Sequence, residues 1–98
     1  MSVYYIGTYD IHDRAAFAAY PPGVIGLLPK YGGRILASDT DARLVEGTLR
    51  TMNAIIEFPS AEAALGLYDD PAYAPLKRIR QAATGNISMV LARAFTSR

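Results

Sequence analysis

The chain has no cysteine, no tryptophan and one histidine, and its ten basic residues nearly balance its nine acidic ones. Each shortage excludes something. Without thiols there is no disulfide, no thiol nucleophile and no cysteine-held metal. One histidine is too few for a histidine-rich metal centre. A formal net charge of +1 leaves no electrostatic footprint for nucleic acid or an anionic membrane. No apolar run approaches the ~20 residues that a membrane span needs. The first residues show neither the basic nor the long apolar region of a secretory signal, so a cytoplasmic location is the expectation. No cofactor and no metal are expected.

What is present is apolar and aromatic: 51% of the 98 residues are hydrophobic, and seven are tyrosine. That suffices for one domain over residues 1–98 with a modest core. Ser2 to Asp10 is β-branched and aromatic and predicts a first strand. Asp13 offers an N-cap to a helix over Arg14 to Tyr20, which Pro21-Pro22-Gly23 should interrupt before a second helical piece, Val24 to Lys30. Gly32-Gly33 suits a positive-φ turn into a strand over Arg34 to Ser38. Arg43 to Glu46 reads as resumed strand, Gly47 as a turn, and Leu49 to Phe58 as the third strand. Ser60 caps a helix with Ala61, Ala64, Leu65 and Tyr68 on one stripe. Asp70-Pro71 restarts a helix in which Tyr73, Leu76, Arg80 and Ala83 share a face and Pro75 makes the first turn irregular. Gly85-Asn86 ends it, and Ile87 to Phe95 forms the last strand.

This β-α-β-β-α-β order implies an α+β fold: a four-stranded antiparallel sheet with the helices on one face. The strands alternate between two apolar faces, Tyr4, Ile6, Ile55 and Val90 against Val3, Tyr5, Ile56 and Leu91. A face open to water should be polar, so a second copy of the chain is the cheapest cover.

Tyr31-Gly32-Gly33-Arg34, Val45-Glu46-Gly47, Glu57-Phe58-Pro59-Ser60, Tyr68-x-x-Pro71-x-Tyr73 and Leu76 to Arg80 occur in order along nearly the whole chain. Together they resemble the family called domain of unknown function 1330. The resemblance implies a ferredoxin-like fold of the dimeric α/β-barrel type, in which two sheets close face to face. The wider superfamily includes cofactor-free oxygenases, isomerases of small lactones and haem-handling proteins, but the family has no agreed reaction and supplies no catalytic residues. Such sequences often carry a tryptophan and a proline after the Glu-Gly turn, where this chain has Thr48-Leu49-Arg50.

The candidate ligand-binding residues are Arg34, Glu57, Tyr31, Tyr68, Tyr73 and His12. A guanidinium at the start of a strand clamps a carboxylate, or else pairs with Glu57 or Glu46 to fix the sheet. Glu57 in an apolar strand has the setting of a general acid or base, or of that structural partner. His12 is the one histidine and lies in a loop, where most histidines are simply surface. Tyrosines suit the wall of a pocket for a small aromatic or carbonyl compound, and equally a core or a dimer interface. The expected pocket lies between the helices and the sheet, near the start of strand two and the Tyr68–Tyr73 junction. An RNA-recognition surface is disfavoured because Met52 to Phe58 lacks the basic and aromatic pattern that stacks bases. Gly32-Gly33 precedes a strand, not a helix, so no phosphate loop is present. Two functions follow: a homodimer binding a small polar or aromatic molecule, with cofactor-free catalysis through Arg34 and Glu57 as its extension, or a non-catalytic dimerising module without a ligand.

Overall fold

The computed structural model describes residues 1–96. Strand β1 spans Val3–Ile11, and short helices α1 (Arg14–Phe17) and α2 (Tyr20–Leu27) run into a 3-10 turn at Leu28–Tyr31. Strands β2 (Arg34–Asp39) and β3 (Met52–Phe58) follow, then α3 (Ala61–Tyr68), α4 (Ala74–Ala83) and β4 (Thr84–Arg93). The four strands form one antiparallel sheet in the order β2-β3-β1-β4. The shortest principal axis of the described chain is 17 Å, room for the sheet and one layer of helices. No helix among the described residues is long and apolar enough to cross a membrane.

The two expected side-chain caps form. Asp13 accepts from the Ala16 amide and Ser60 from the Ala63 amide, each at 3.0 Å, which satisfies donors that a first helical turn leaves unpaired. The prolines behave differently from expectation. Pro21 and Pro22 open α2 instead of breaking the helix, because first-turn amides have no intrahelical acceptor to lose, and Pro75 stands in the first turn of α4. The break before α2 falls at Ala18-Ala19. At Asp70-Pro71 the chain makes a turn, with the Tyr73 amide on the Asp70 carbonyl at 2.8 Å, and α4 begins only at Ala74.

Two strand expectations are also corrected. Arg43 to Glu46 is irregular, and Val45 is 94% exposed. β2 is the sheet's edge strand and this segment does not pair with it, and β3 begins at Met52 instead of Leu49. β4 begins at Thr84, three residues before the expected Ile87. Gly85-Asn86 lies inside it, where the register against β1 slips between Thr8 and Asp10 and Asn86 takes φ 52°. Asparagine tolerates that left-handed backbone, and its amide bonds Asp10 at 2.8 Å. At the end of the 3-10 turn the left-handed position is Gly32, φ 67°.

Register divides the sheet. Val3, Tyr5, Gly7 and Tyr9 of β1 face the helices beside Met52, Ala54, Ile56 and Phe58 of β3 and Met89 and Leu91 of β4. Phe17, Tyr20, Val24 and Leu28 pack over that face together with Ala64, Leu67, Tyr73 and Ala83. The opposite face carries Tyr4, Ile6 and Thr8, Asn53, Ile55 and Glu57, Ser88 and Val90, with Arg34 at the β2 edge. Among the described residues no helix covers it.

Candidate functional site

Between the helices and the sheet lies a cavity of about 390 Å³. Its floor is Tyr5, Tyr9, Met52, Ala54, Ile56 and Phe58 on the strands, and its roof is Tyr20 and Val24 of α2, Ala64, Leu67 and Tyr68 of α3, and Tyr73. The exposed Ile25, Ile35 and Leu65 belong to its rim. Gly7 makes the floor possible: a Cβ there would stand 2.7 Å from the Tyr5 hydroxyl, so only glycine lets that ring lie along its own strand.

The lining is mostly apolar, with polarity concentrated in tyrosine hydroxyls. Phe17, Tyr20, Tyr73 and Tyr68 form a chain of ring contacts with centroids 5.4 to 6.2 Å apart. The Tyr20 and Tyr73 hydroxyls share a hydrogen bond of 2.6 Å. Burial pushes the Tyr5 hydroxyl pKa well up, with the neighbouring Tyr73 and Tyr9 adding to the effect, and it pushes Tyr9 up to about 12. Tyr20 is raised further, by burial first and then by Tyr73. These three hydroxyls are therefore protonated donors at neutral pH.

Beside them sits Arg80, 2% exposed, its guanidinium carbon 6.0 Å from the centre of the Tyr20 ring. Burial alone would pull its pKa down, but the Tyr73, Tyr20 and Tyr5 oxygens outweigh that and hold it above its ordinary value. None of the ion pairs among the described residues includes it. Its Nε is the one buried side-chain polar atom there without a hydrogen-bond partner.

Of the residues singled out in the sequence, Tyr68 and Tyr73 line the cavity, whereas Arg34, Glu57, Tyr31 and His12 lie outside its lining. Arg34 Nη2 bonds Glu57 Oε1 at 2.7 Å on the face away from the helices, with the Arg34 side chain 72% exposed. The register sets Arg34 opposite Glu57, which selects that acid over Glu46. Tyr31 donates to Asp70 Oδ2, which also takes Lys30 Nζ at 3.0 Å, while Oδ1 takes the Ala72 amide at 2.8 Å. The Tyr31 hydrogen bond, followed by those from Ala72 and Lys30, brings the Asp70 carboxyl down to about 2. This cluster ties the 3-10 turn to the α3–α4 junction. His12 is exposed, with its amide on the Ala83 carbonyl at 2.8 Å and its ring against Gly85.

Sequence reasoning missed Arg80, Tyr20, Tyr5 and Tyr9 as site residues. Arg80 carried a signal: a charge inside the apolar stripe Tyr73, Leu76, Arg80, Ala83 of an amphipathic helix is either buried or a break in the stripe.

The family described as Domain of unknown function (DUF1330) matches residues 2–95. The chain belongs to that family. No curated protein matches the chain in sequence. A protein of unknown function from Rhodopseudomonas palustris superposes with TM-score 0.82 at 17% identity, over 98% of this chain and 84% of that one. A dimeric ferredoxin-like protein of unknown function from Jannaschia gives 0.75 at 13%, over 96% and 100%. SnoaB, a cofactor-independent oxygenase from Streptomyces nogalater, gives 0.71 at 13%, over 98% and 95%. Likeness at these identities shows the ferredoxin-like fold.

Proposed function

We propose that this member of the DUF1330 family is a homodimer that binds a small, largely apolar molecule in the cavity between helices and sheet. The cavity carries the proposal: 390 Å³ falls in the range of small-molecule pockets, and an apolar wall with a few convergent hydroxyls is how such pockets orient a ligand. A planar aromatic body fits the Tyr20–Tyr73–Tyr68 wall, and a polar substituent fits the hydroxyls. The SnoaB neighbour is a cofactor-independent oxygenase, so a scaffold of this shape can host such chemistry, and catalysis on the bound molecule is the extension of this proposal.

The dimer is proposed from the uncovered sheet face. Leu36 and Val90 are about half exposed, next to Ile6, Ile55 and Tyr4. A contiguous apolar face of that kind favours a second copy, and the Jannaschia neighbour is described as dimeric. The Arg34–Glu57 pair lies on this face, and we assign it to strand pairing and to the border of the interface. A dimerising module with no ligand is the alternative, favoured by the way Arg34 and Glu57 satisfy each other.

Calorimetric titration with nitrobenzene and naphthalene tests the cavity. Saturable binding of one molecule per chain, abolished by Ala54→Phe on the cavity floor, is the expected result. Absence of binding by every small aromatic tried, with the fold intact, would leave the dimerising module.

A further inference from the structure

We propose that Arg80, Tyr73 and Tyr20 form a polarised donor chain that holds an oxyanion, so that the molecule bound in the cavity carries a phenolate-like, enolate or carboxylate oxygen on an apolar body. This rests on the cavity being a ligand site. A buried cation without a carboxylate partner is costly, and proteins neutralise nearly all of them. The acids of the described ion pairs are engaged elsewhere: Asp70 with Lys30 and Tyr31, Glu57 with Arg34, Asp10 with Arg50. Arg80 is compensated only by hydroxyl oxygens and the Tyr20 ring.

Donor bookkeeping gives the chain a direction. A guanidinium has N–H donors and no acceptor, so in the proposed chain Arg80, buried beside the Tyr20–Tyr73 pair, donates to the Tyr73 oxygen. The Tyr73 proton then points to the Tyr20 oxygen 2.6 Å away. Tyr20 has already accepted, so its own proton has no acceptor among the described residues, and Tyr20 lines the cavity. The Tyr5 and Tyr9 hydroxyls, also in the lining, bond no described residue. All three are protonated at neutral pH, as any tyrosine hydroxyl is, and burial keeps them so to higher pH still. The groups facing this point are thus Tyr5 and Tyr9 from β1, Tyr20 from α2, Tyr68 from α3, and Tyr73 and Arg80 around α4: donors and a cation, with no carboxylate. A cationic ligand is repelled there. An anionic oxygen receives donors already oriented by a charge, which needs no rearrangement on binding.

Arg80 acts here as a positioning residue through Tyr73, and Tyr20 is the group that touches the ligand. The test uses para-nitrophenol, which changes colour on ionisation, and nitrobenzene as its neutral counterpart. In the wild-type protein the phenolate should bind about tenfold more tightly than nitrobenzene, and the bound phenol should titrate at lower pH than the free phenol by the same factor. Tyr20→Phe and Tyr73→Phe, which keep the rings, should erase that preference, the phenolate losing about tenfold more affinity than nitrobenzene. Arg80→Lys should retain part of it and Arg80→Gln none. Should the Arg80 variants fail to fold, the two phenylalanine variants decide. Equal affinity for both probes, or a preference that survives both phenylalanine variants, overturns the donor chain but leaves the cavity as a ligand site. Binding of neither probe overturns both.

Discussion

Arg34 and Arg80 differ in every respect that sets what a guanidinium does. Arg34 stands on the uncovered face of the sheet, mostly in solvent, with Glu57 at 2.7 Å. Arg80 stands on the helix side, shut away from solvent, with no carboxylate and with an unpartnered Nε. An exposed pair is screened and contributes little to stability. A buried unpaired cation lowers stability unless something brings it an electron-rich partner, and here the partners are tyrosine oxygens. The same side chain therefore stitches two strands at one site and polarises a cavity at the other. The two faces divide in the same way, one leaving an apolar surface open to solvent, the other bordering a cavity.

The largest effect should follow from a charge at the centre of the open face. Ile55→Asp should reduce the mass seen by light scattering to that of one chain and sharply lower the melting temperature, because a buried carboxylate without a partner cannot be accommodated. The wild-type dimer should bury more than about 1,200 Å² in total. A variant that remains dimeric would place the interface elsewhere.

Next comes Arg80→Met, which keeps length and apolar stem but removes charge. A buried cation without a carboxylate carries a desolvation cost that a hydrophobe of similar length does not, so thermal melts should show an unchanged or higher melting temperature. A collapse in stability would make Arg80 a fold residue and remove the contrast with Arg34.

The pH limits of stability should separate the cavity from its surroundings. The Tyr9 pKa is raised from 10.0 to about 12, chiefly by burial, so its contribution is complete below pH 10.0 and is lost as pH rises through about 12. Tyr9→Phe should flatten the alkaline limb of a stability profile. The Asp70 pKa is lowered from 3.8 to about 2, chiefly by Tyr31, so its contribution is present above pH 3.8 and is lost as pH falls through about 2. Asp70→Asn should flatten the acid limb, and the alkaline one in part, because Asp70 also holds the Lys30 and Tyr31 pKa values up.

The smallest effect belongs to Arg34. Arg34→Ala, Glu57→Gln and the double variant should give a coupling of about 0.2–1 kcal/mol in thermal melts, the usual contribution of an exposed pair. A coupling of several kcal/mol would mean that the second copy buries the pair, which would sharpen the interface assignment.

The elements of the fold were legible where local chemistry decides them. Alternation in Met52 to Phe58 and the side-chain caps at Asp13 and Ser60 are visible in the sequence because each depends on neighbours along the chain. The prolines were misread because their effect depends on where a helix starts, and Ala74, not Pro71, starts α4. Arg43 to Glu46 has strand-like residues but pairs with no strand, and whether a segment finds a partner is a fact of topology that no window of sequence contains. Tyr68 and Tyr73 were legible as candidates for a pocket wall, since they flank a helix junction. For Arg80 the stripe hinted at burial, but its tyrosine surroundings were not legible, because they are assembled from β1, α2 and the start of α4, far apart in the chain.

The central claim, that the helix-side cavity receives an oxyanion against a donor chain backed by Arg80, is tested most directly by a high-resolution crystal structure with para-nitrophenolate. The predicted result is the phenolate oxygen within hydrogen-bonding distance of the Tyr20 hydroxyl, its ring along the tyrosine wall, with Arg80 bonded to Tyr73. A probe bound outside the cavity, or lying in it with its nitro group toward Tyr20 and its phenolate oxygen in solvent, would contradict the claim.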